Sequence, residues 1–260
     1  MLQQELGLSG TVSILEGDNL CVMSGMDSGS FDLIYVDPPY NTGVTQRRVL
    51  SSGDSLSYND SYEDYLSFLL PRLRRSYDLL RDDGSMFVHL DCREVHYVKV
   101  ALDSIFGRSN FINEIIWAYD YGGRSKSRWP AKHDNILWYA KNKNNYRFNY
   151  EEIDRIPYLS PERVSKEKSL KGKTLTDTWW HTIVPTQSKE NTGYPTQKPL
   201  GLLSRIVRVH SMPSDSLLDF FAGSGSFGEA GAMLGRNVTL IDQSPQAITI
   251  MRQRLSNYIR

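Results

Sequence analysis

The sequence lacks three features that define familiar protein classes: long apolar runs, clusters of cysteine and a net charge. No apolar run approaches the roughly 20 residues of a membrane-spanning helix, and no secretory signal opens the chain. The two cysteines, Cys21 and Cys92, are too few for a disulfide framework or a zinc site. We therefore expect a cytoplasmic protein with buried, reduced thiols, no membrane partner and no metal.

Charge is unevenly distributed along the chain, although it sums to zero. Over 260 residues, 30 Lys and Arg balance 30 Asp and Glu. Residues 121–173, however, contain 13 basic and only 6 acidic side chains. This local excess favours a phosphate-binding surface, although a merely solvated surface can have the same composition.

Strand-like and helical segments alternate, which predicts an α/β sheet with crossover helices. Strands are predicted at 11–16, 31–36, 85–90, 113–119, 135–140, 216–221 and 237–241, and helices at 62–80, 93–106, 200–210, 230–234 and 247–258. Two segments interrupt this pattern. The small polar residues of 41–60 predict a mobile loop, and the basic, aromatic segment 142–194 is a long irregular insertion of the kind that is usually functional.

The first chemical pattern is an apolar strand that ends in four residues: Asp37, Pro38, Pro39 and Tyr40. The prolines stop the strand, fix the backbone and remove N–H donors. A carboxylate and a rigid carbonyl that both accept from an NH₂ group would localise the lone pair of an aromatic amine. Tyr40 offers a face on which an extruded nucleobase can stack. The structural alternative is a strand that simply ends at an Asp-Pro turn.

The second pattern is a strand, a glycine-rich turn and a helix, and it contains Asp219, Phe221, Gly223, Ser224 and Gly225. Glycines let the backbone approach a cofactor and direct helix N–H groups towards it. The next strand ends in Asp242, whose carboxylate suits two ribose hydroxyls. With Gly228, the glycine spacing also fits a dinucleotide fingerprint, so an NAD-dependent oxidoreductase is an alternative.

Topology favours a different cofactor site. Only 32 residues follow Gly228, too few for the second half of a dinucleotide fold unless the chain is permuted. If the C-terminal segment is joined to the N-terminus, the glycine-turn strand comes first. The Asp242 strand is then second, the strand ending near Asp18 third and the Asp37 strand fourth. This order predicts a circularly permuted sheet with its acidic residues at strand ends.

These motifs resemble the β-group amino-methyltransferases of DNA, in which the catalytic tetrapeptide precedes the cofactor motif. Residues 17–20, 37–43, 194–200 and 221–225 resemble four motifs of that family, in the family's order. The resemblance implies an α/β fold with a circularly permuted, Rossmann-like, mostly parallel and seven-stranded sheet. It also implies a catalytic domain of residues 1–141 and 195–260 and a DNA target-recognition insertion at 142–194. Residues 41–43 are similar to modification subunits of type III restriction systems.

The resemblance assigns roles to the matching residues, with S-adenosylmethionine as the cofactor. Asp37 and the Pro38 carbonyl would hold the target amine beside Pro39, and Tyr40 would stack on the base. The cofactor set would be Asp18, Asp37, Lys198, Asp219, Phe221, Gly223, Ser224, Gly225 and Asp242. Within that set, Asp242 would bind the ribose, Asp18 the adenine amine and Lys198 the carboxylate end.

The chain departs from the family's pattern at one place and leaves alternatives open for several aromatic residues. Where the family usually has two threonines after its Gly-Ser-Gly, this chain has Ser226 and Phe227. Trp138 or Tyr139, in a segment similar to one near the family's base pocket, is a candidate base contact, although a core position is the alternative for either. The pair at 179–180 is a candidate stacking element or a hydrophobic anchor.

We therefore expect methyl transfer to adenine N6 in double-stranded DNA, by base flipping and direct displacement. Adenine is favoured because an Asp at the first motif position usually accompanies it in the family. Cytosine N4 is the alternative, and an oxidoreductase or a catalytically silent DNA-binding subunit is more distant. The resemblance further suggests a homodimer, a cognate restriction endonuclease and a bacterial or phage-encoded protein associated with the nucleoid.

Overall fold

A central sheet organises the protein, and the computed structural model describes residues 10–49 and 55–259. The strands are β1 (Thr11–Glu16), β2 (Phe31–Val36), β3 (Val44–Val49), β4 (Ser55–Asp60), β5 (Leu80–Leu90), β6 (Phe111–Ala118), β7 (His133–Ala140), β8 (Arg155–Ile156), β9 (Lys173–Thr174), β10 (Thr178–Trp180), β11 (Ser216–Asp219) and β12 (Asn237–Asp242). Eight of them form one sheet in the order β1-β12-β11-β2-β5-β7-β6-β10. Only β7 runs against the other seven strands of this sheet.

Helices cover both faces of this sheet. They are α1 (Asn19–Ser24), α2 (Tyr65–Leu79), α3 (Val95–Phe106), α4 (Lys166–Lys171), α5 (Leu200–His210), α6 (Ser226–Met233) and α7 (Pro245–Arg254). One apolar core lies between the sheet and α5, α6 and α7, and the other lies between the sheet and α1, α2 and α3. Within the described residues, no helix is both long and apolar enough to cross a membrane.

The β2 strand shows why the central strands were predictable. Leu33 and Tyr35 belong to the first core, whereas Ile34 and Val36 belong to the second. Because successive side chains point to opposite faces, a strand covered on both faces must be apolar at nearly every position. The same rule accounts for the other predicted strands, all seven of which are present with small changes at their ends.

The predicted permutation is confirmed. In the sheet, β12 lies between β1 and β11, and β11 lies beside β2. The C-terminal glycine-turn strand therefore occupies the centre, next to the N-terminal Asp37 strand. The fold is an α/β, Rossmann-like and mostly parallel sheet. It has eight strands rather than seven, because β10, from the predicted insertion, pairs with β6 at the sheet edge.

The prediction of a mobile loop at 41–60 was wrong for the described part of that segment, and residues 50–54 lie outside it. Strands β3 and β4 form an antiparallel hairpin. Its base is fixed by Asp60, a buried carboxylate that accepts hydrogen bonds from the Asn41 backbone (2.7 Å) and from the side chains of Thr42 and Gln46. Polar composition concealed the hairpin, because its stability depends on this buried acceptor rather than on an apolar face.

The prediction of buried thiols was also wrong, since Cys21 and Cys92 are both exposed. Cys21 lies on the outer face of α1, a short helix that the sequence did not reveal. Asp18 caps this helix by accepting from the Cys21 backbone N–H (3.0 Å). Cys92 lies in the turn between β5 and α3.

Candidate active site

The two chemical patterns meet at one edge of the sheet. Strand β2 runs into Asp37, and its neighbour β11 ends at Asp219. The register of β1 against β12 places Asp242 opposite Glu16 at the same edge. A cleft of about 290 Å³ opens there, and residues from both patterns line it. Carboxyl ends of strands, at the point where the strand order changes direction, are the usual ligand site of an α/β sheet.

Contacts fix the carboxylate of Asp37 from two sides. Its Oδ1 accepts from the Tyr40 hydroxyl (2.9 Å), and its Oδ2 accepts from the Lys198 ammonium (2.5 Å). Lys198 is only 7% exposed, and its charge also lies 5.0 Å from the centre of the Tyr40 ring. The sequence assigned Lys198 to a cofactor carboxylate, whereas the structure places it on Asp37.

The two prolines orient their carbonyls differently. The Pro39 carbonyl accepts from the Tyr65 hydroxyl of α2 (2.7 Å), which anchors the tetrapeptide to that helix. Among the described residues, none donates a hydrogen bond to the carbonyl of Pro38, which lines the cleft. The Pro38 carbonyl is therefore an acceptor without a protein donor in the described part of the chain, and its predicted contact with a target amine stays a prediction.

A buried network of polar side chains contacts the hydroxyl of Tyr40. The Tyr40 hydroxyl lies 3.4 Å from Asp134, whose carboxylate also contacts His89 (3.1 Å) and Tyr119 (3.2 Å). On its other side, the fully buried His89 ring lies 2.8 Å from the Tyr35 hydroxyl. Sequence analysis assigned no role to His89 or Asp134. His89 is one polar residue in an apolar run, and in the segment that contains Asp134 the resemblance drew attention to the aromatic residues instead.

The surroundings of this network favour an ionised Asp134 and a neutral Tyr40. Burial opposes ionisation of Asp134, but the hydrogen bond and attraction of His89, with help from Lys198, lower its pKa overall. Burial raises the pKa of Tyr40 well above its usual value, and the nearby carboxylates of Asp37 and Asp134 add to this. Tyr40 is therefore a neutral phenol that donates to a carboxylate.

The glycine-rich turn depends on two left-handed residues. Gly223 has φ +50° and Gly225 has φ +74°, conformations that residues with a Cβ rarely adopt. At Gly223, a Cβ would also lie 3.0 Å from the ring of Tyr194. The Gly223 N–H donates to Asp242 (2.8 Å), which joins the turn to the end of β12. Backbone geometry thus brings the turn and the carboxylate of Asp242 together.

Burial affects both carboxyl groups at this end of the cleft. It raises the pKa of Asp242, although N–H donors from Gly223 and Ser244 partly offset the effect. Burial also raises the pKa of Asp219, whose carboxylate accepts from the Phe221 N–H (3.0 Å). Asp219 therefore shapes the turn that carries Phe221, as well as lining the cleft.

Asp18 is a further acidic residue that lines the cleft. Its carboxylate accepts from Arg72 of α2 (2.6 Å), and Arg72 also donates to Asn19 (2.5 Å). Burial opposes ionisation of Asp18, but the Cys21 N–H and the Arg72 guanidinium lower its pKa overall. Arg72 was missed in the sequence, because a helical arginine 54 residues away gives no local signal.

One aromatic residue of the hairpin, Tyr58, lines the cleft. Tyr58 of β4 stacks nearly parallel on Tyr194, with ring centres 6.4 Å apart, and its hydroxyl lies 3.1 Å from Thr196. The tip of α7 also holds the hairpin, since Gln246 accepts from the Ser57 N–H (3.3 Å). The predicted loop is therefore one wall of the site.

The departure from the family's threonines has a structural role. Phe227 is buried beneath the cleft and stacks on Tyr35, with ring centres 5.1 Å apart. Ser226 begins α6, and its hydroxyl lies 3.1 Å from that of Ser224. Phe227 thus supports β2 just before Asp37.

The other candidate aromatics divide into core and surface. Trp138 and Tyr139 are both buried: Trp138 packs against Phe87, and the Tyr139 hydroxyl donates to Asp103 (2.6 Å). Neither lines the cleft, so neither is placed as a base contact. Trp179 is buried too and is a hydrophobic anchor, whereas Trp180 is 73% exposed.

Comparison with known proteins identifies the family. A family model described as DNA methylase matches residues 31–253. The type II methyltransferase M.HpaI of Haemophilus parainfluenzae is 28% identical over 235 residues, which cover 90% of this chain and 71% of that protein. The DNA adenine methyltransferase YhdJ of Escherichia coli (strain K12) is 27% identical over 256 residues, with 94% and 82% covered.

Solved structures agree on the fold. The PvuII DNA methyltransferase, described as cytosine-N4-specific, superposes with a TM-score of 0.71 at 15% identity, covering 95% of this chain and 86% of that one. A complex of M1.HpyAVI with SAM gives a TM-score of 0.64 at 22% identity, with 94% and 98% covered. With the family match over most of its length, the chain belongs to the DNA methylase family, as a β-group DNA methyltransferase.

Proposed function

We propose that this protein transfers a methyl group from S-adenosylmethionine to the N6 amine of adenine in double-stranded DNA. The observation that carries the proposal is the arrangement at the end of β2. There, Asp37 and Pro38 both line the glycine-turn cleft, which makes the Asp37 carboxylate and the Pro38 carbonyl acceptors available to one ligand. This pair of acceptors suits an NH₂ group that must present its lone pair.

The cleft contains acceptors that suit the ribose and adenine groups of S-adenosylmethionine. Each oxygen of Asp242 accepts one N–H, from Gly223 and from Ser244, which leaves lone pairs for two ribose hydroxyls. Phe221 and Asp18 both line the cleft, where Phe221 would offer an apolar face to the adenine ring and Asp18 would accept from the adenine amine. When bound, the cofactor supplies a methyl group attached to a positively charged sulfur.

The residues of the tetrapeptide would orient and activate the base. Asp37 and the Pro38 carbonyl accept the two amine hydrogens, which favours a pyramidal nitrogen, and Asp37 is placed to take the proton that the amine loses. Lys198 and Tyr40 hold the Asp37 carboxylate in position from opposite sides. Preorganised hydrogen bonds of this kind contribute to catalysis because they do not have to form during the reaction.

Adenine and base extrusion are the finer parts of the proposal. The Asp at the first motif position and the adenine-specific relative YhdJ both favour adenine over cytosine N4. A base within a duplex cannot reach the end of β2, so it would have to be extruded and stacked on Tyr40.

The organisation of the chain extends the proposal. We assign the catalytic domain to residues 1–141 and 195–260, and target recognition to 142–194. Segment 142–194 contributes β10 to the sheet and contains short helices and strands on the outside. Relatives are named as type II methyltransferases, which is consistent with a cognate restriction endonuclease, and a homodimer is a further proposal.

The decisive experiment is methylation of DNA followed by nucleoside analysis. Purified protein, incubated with S-adenosylmethionine and genomic DNA from an unmethylated host, should yield N6-methyladenine. N4-methylcytosine without N6-methyladenine would reject the adenine assignment, and the absence of both would reject the function.

A variant links the activity to the site. Asp37→Ala should lower methylation by at least about 100-fold, since it removes an acceptor from the reacting amine. Its affinity for S-adenosylmethionine, measured by calorimetry, should stay largely unchanged. Asp27→Ala, at an exposed position before β2, is the control and should retain full activity.

A further inference from the structure

The connection between β6 and β7 is strongly basic. This segment, residues 120–132, is called here the 120–132 loop, and it contains one acidic residue, Asp120, and four basic ones: Arg124, Lys126, Arg128 and Lys132. Arg124 forms an ion pair with Asp120 (2.9 Å), and Lys132 donates to the Tyr121 carbonyl (2.7 Å). Within the described part of the chain, Lys126 and Arg128 form no ion pair, so their charges face solvent.

The loop also exposes large aromatic side chains. Trp129 is 94% exposed and Tyr121 is 60% exposed. An exposed indole gains nothing from burial in the folded chain, and Trp129 has no ring partner among the described residues. Unpaired cations beside an unpacked indole match the chemistry of nucleic acid, whose phosphates attract cations and whose bases stack on aromatic rings.

The position of the loop connects it to the active site. It leaves the sheet at Tyr119, whose N–H donates to the Lys132 carbonyl (3.1 Å), and it returns at His133. The Tyr119 hydroxyl donates to Asp134 (3.2 Å), the same carboxylate that contacts Tyr40. The start of the loop is therefore connected to Tyr40, the proposed stacking residue, through the single side chain of Asp134.

We propose that the 120–132 loop is a second DNA-binding element, separate from the 142–194 insertion. Lys126 and Arg128 contact phosphates, and Trp129 enters the duplex beside the extruded base, where it stacks on the bases left behind. Apolar side chains are known to enter base steps in this way. The inference rests on the proposed function, because it assumes that DNA is the substrate.

The test separates the cations from the indole. Binding is measured with a duplex that the wild-type protein methylates, carrying 2-aminopurine at the target position, across a series of salt concentrations. The double variant Lys126→Ala/Arg128→Ala should reduce the slope of log affinity against log salt by about 2, since each phosphate contact contributes roughly 0.9. Trp129→Ala should leave that slope unchanged but reduce the 2-aminopurine fluorescence increase that reports base extrusion.

Matched controls lie at the opposite edge of the sheet. Arg252 is exposed in the last turn of α7, and Met233 is 54% exposed at the end of α6. Arg252→Ala and Met233→Ala should match the wild type in both measurements. Wild-type slope and fluorescence in both loop variants would overturn the inference while leaving the proposed function intact. If the wild-type protein itself neither binds nor methylates DNA, the proposed function fails instead.

Discussion

Gly223 shows how one backbone conformation determines a binding site. Its left-handed φ lets its N–H reach Asp242, and its lack of a Cβ leaves room for the Tyr194 ring. Gly29 has a similar φ of +65°, but no atom lies within 4 Å of where its Cβ would be. A comparison of alanine variants at the two glycines therefore distinguishes the cost of backbone strain from the effect of crowding at the cofactor site.

We predict that Gly223→Ala and Gly29→Ala each lower the free energy of unfolding by about 1–2 kcal/mol, the cost of a left-handed non-glycine residue. Only Gly223→Ala should also weaken binding of S-adenosylmethionine, by at least about 10-fold, which corresponds to ~1.4 kcal/mol. Denaturation and calorimetry measure the two effects. Equal cofactor affinities in the two variants would contradict the assigned role of this turn.

The carboxyl group of Asp242 makes cofactor binding sensitive to acid. Burial raises its pKa above the ordinary 3.8, so it takes up a proton at a higher pH than an exposed Asp. Ribose hydroxyls donate best to the ionised form, so affinity should be highest at neutral pH and fall as the pH drops towards 3.8. Asp18, whose pKa is lowered, stays ionised over more of this range.

Calorimetry with S-adenosylmethionine at a series of pH values tests this prediction. Asp242→Asn should bind more weakly at neutral pH and should lose most of the acid dependence, because its amide does not titrate. Asp219 also has a raised pKa, so an undiminished acid dependence in Asp242→Asn would assign the effect to Asp219 instead.

Single residues were predictable where the chemistry is local. Asp37, Gly223 and Asp242 each lie in a continuous motif, and the structure brings all three to one cleft. By contrast, the partner of Tyr40 in the buried network, Asp134, is 94 residues away. Such partners depend on strand pairing, which one sequence does not specify.

Among the elements, the β3–β4 hairpin is expected to contribute to cofactor binding. Its Tyr58 stacks on Tyr194, and Tyr194 in turn lies against Gly223, so the hairpin closes over the glycine turn. We predict that Tyr58→Ala weakens S-adenosylmethionine binding by roughly 2- to 10-fold, since an aromatic pair contributes about 0.5–1.5 kcal/mol. Tyr58→Phe keeps the ring and loses only the contact with Thr196, so it should bind almost as the wild type does. Equal losses in both variants would assign the effect to the hydroxyl.

Elements were predictable to the extent that burial imposes a pattern. The central strands are apolar on both faces and α5 is amphipathic, and both were found from the sequence. The hairpin depends on a buried Asp60 and on contacts with α7, so its polar composition indicated a loop. The short β10 was hidden in the same way, because its three residues pair only at the sheet edge.

For the molecule as a whole, the permutation means that both ends of the chain build one site. Asp18 and Asp37 come from the first 40 residues, and Gly223 and Asp242 come from the last 40. A ligand in the cleft therefore contacts segments that are distant in sequence and joined only through the folded sheet. Such a ligand binds the native state alone and must stabilise it against unfolding.

We predict that S-adenosylmethionine raises the melting temperature and that NAD does not. At 100 times its dissociation constant, a ligand that binds only the native state adds about 2.7 kcal/mol. For a domain of this size, that free energy corresponds to an increase of roughly 5–10 °C in melting temperature. Thermal denaturation with each compound measures it, and Asp242→Asn should show a smaller increase at the same concentration. Stabilisation by NAD alone would contradict the assignment of this cleft to S-adenosylmethionine, because the glycine spacing by itself fits both cofactors.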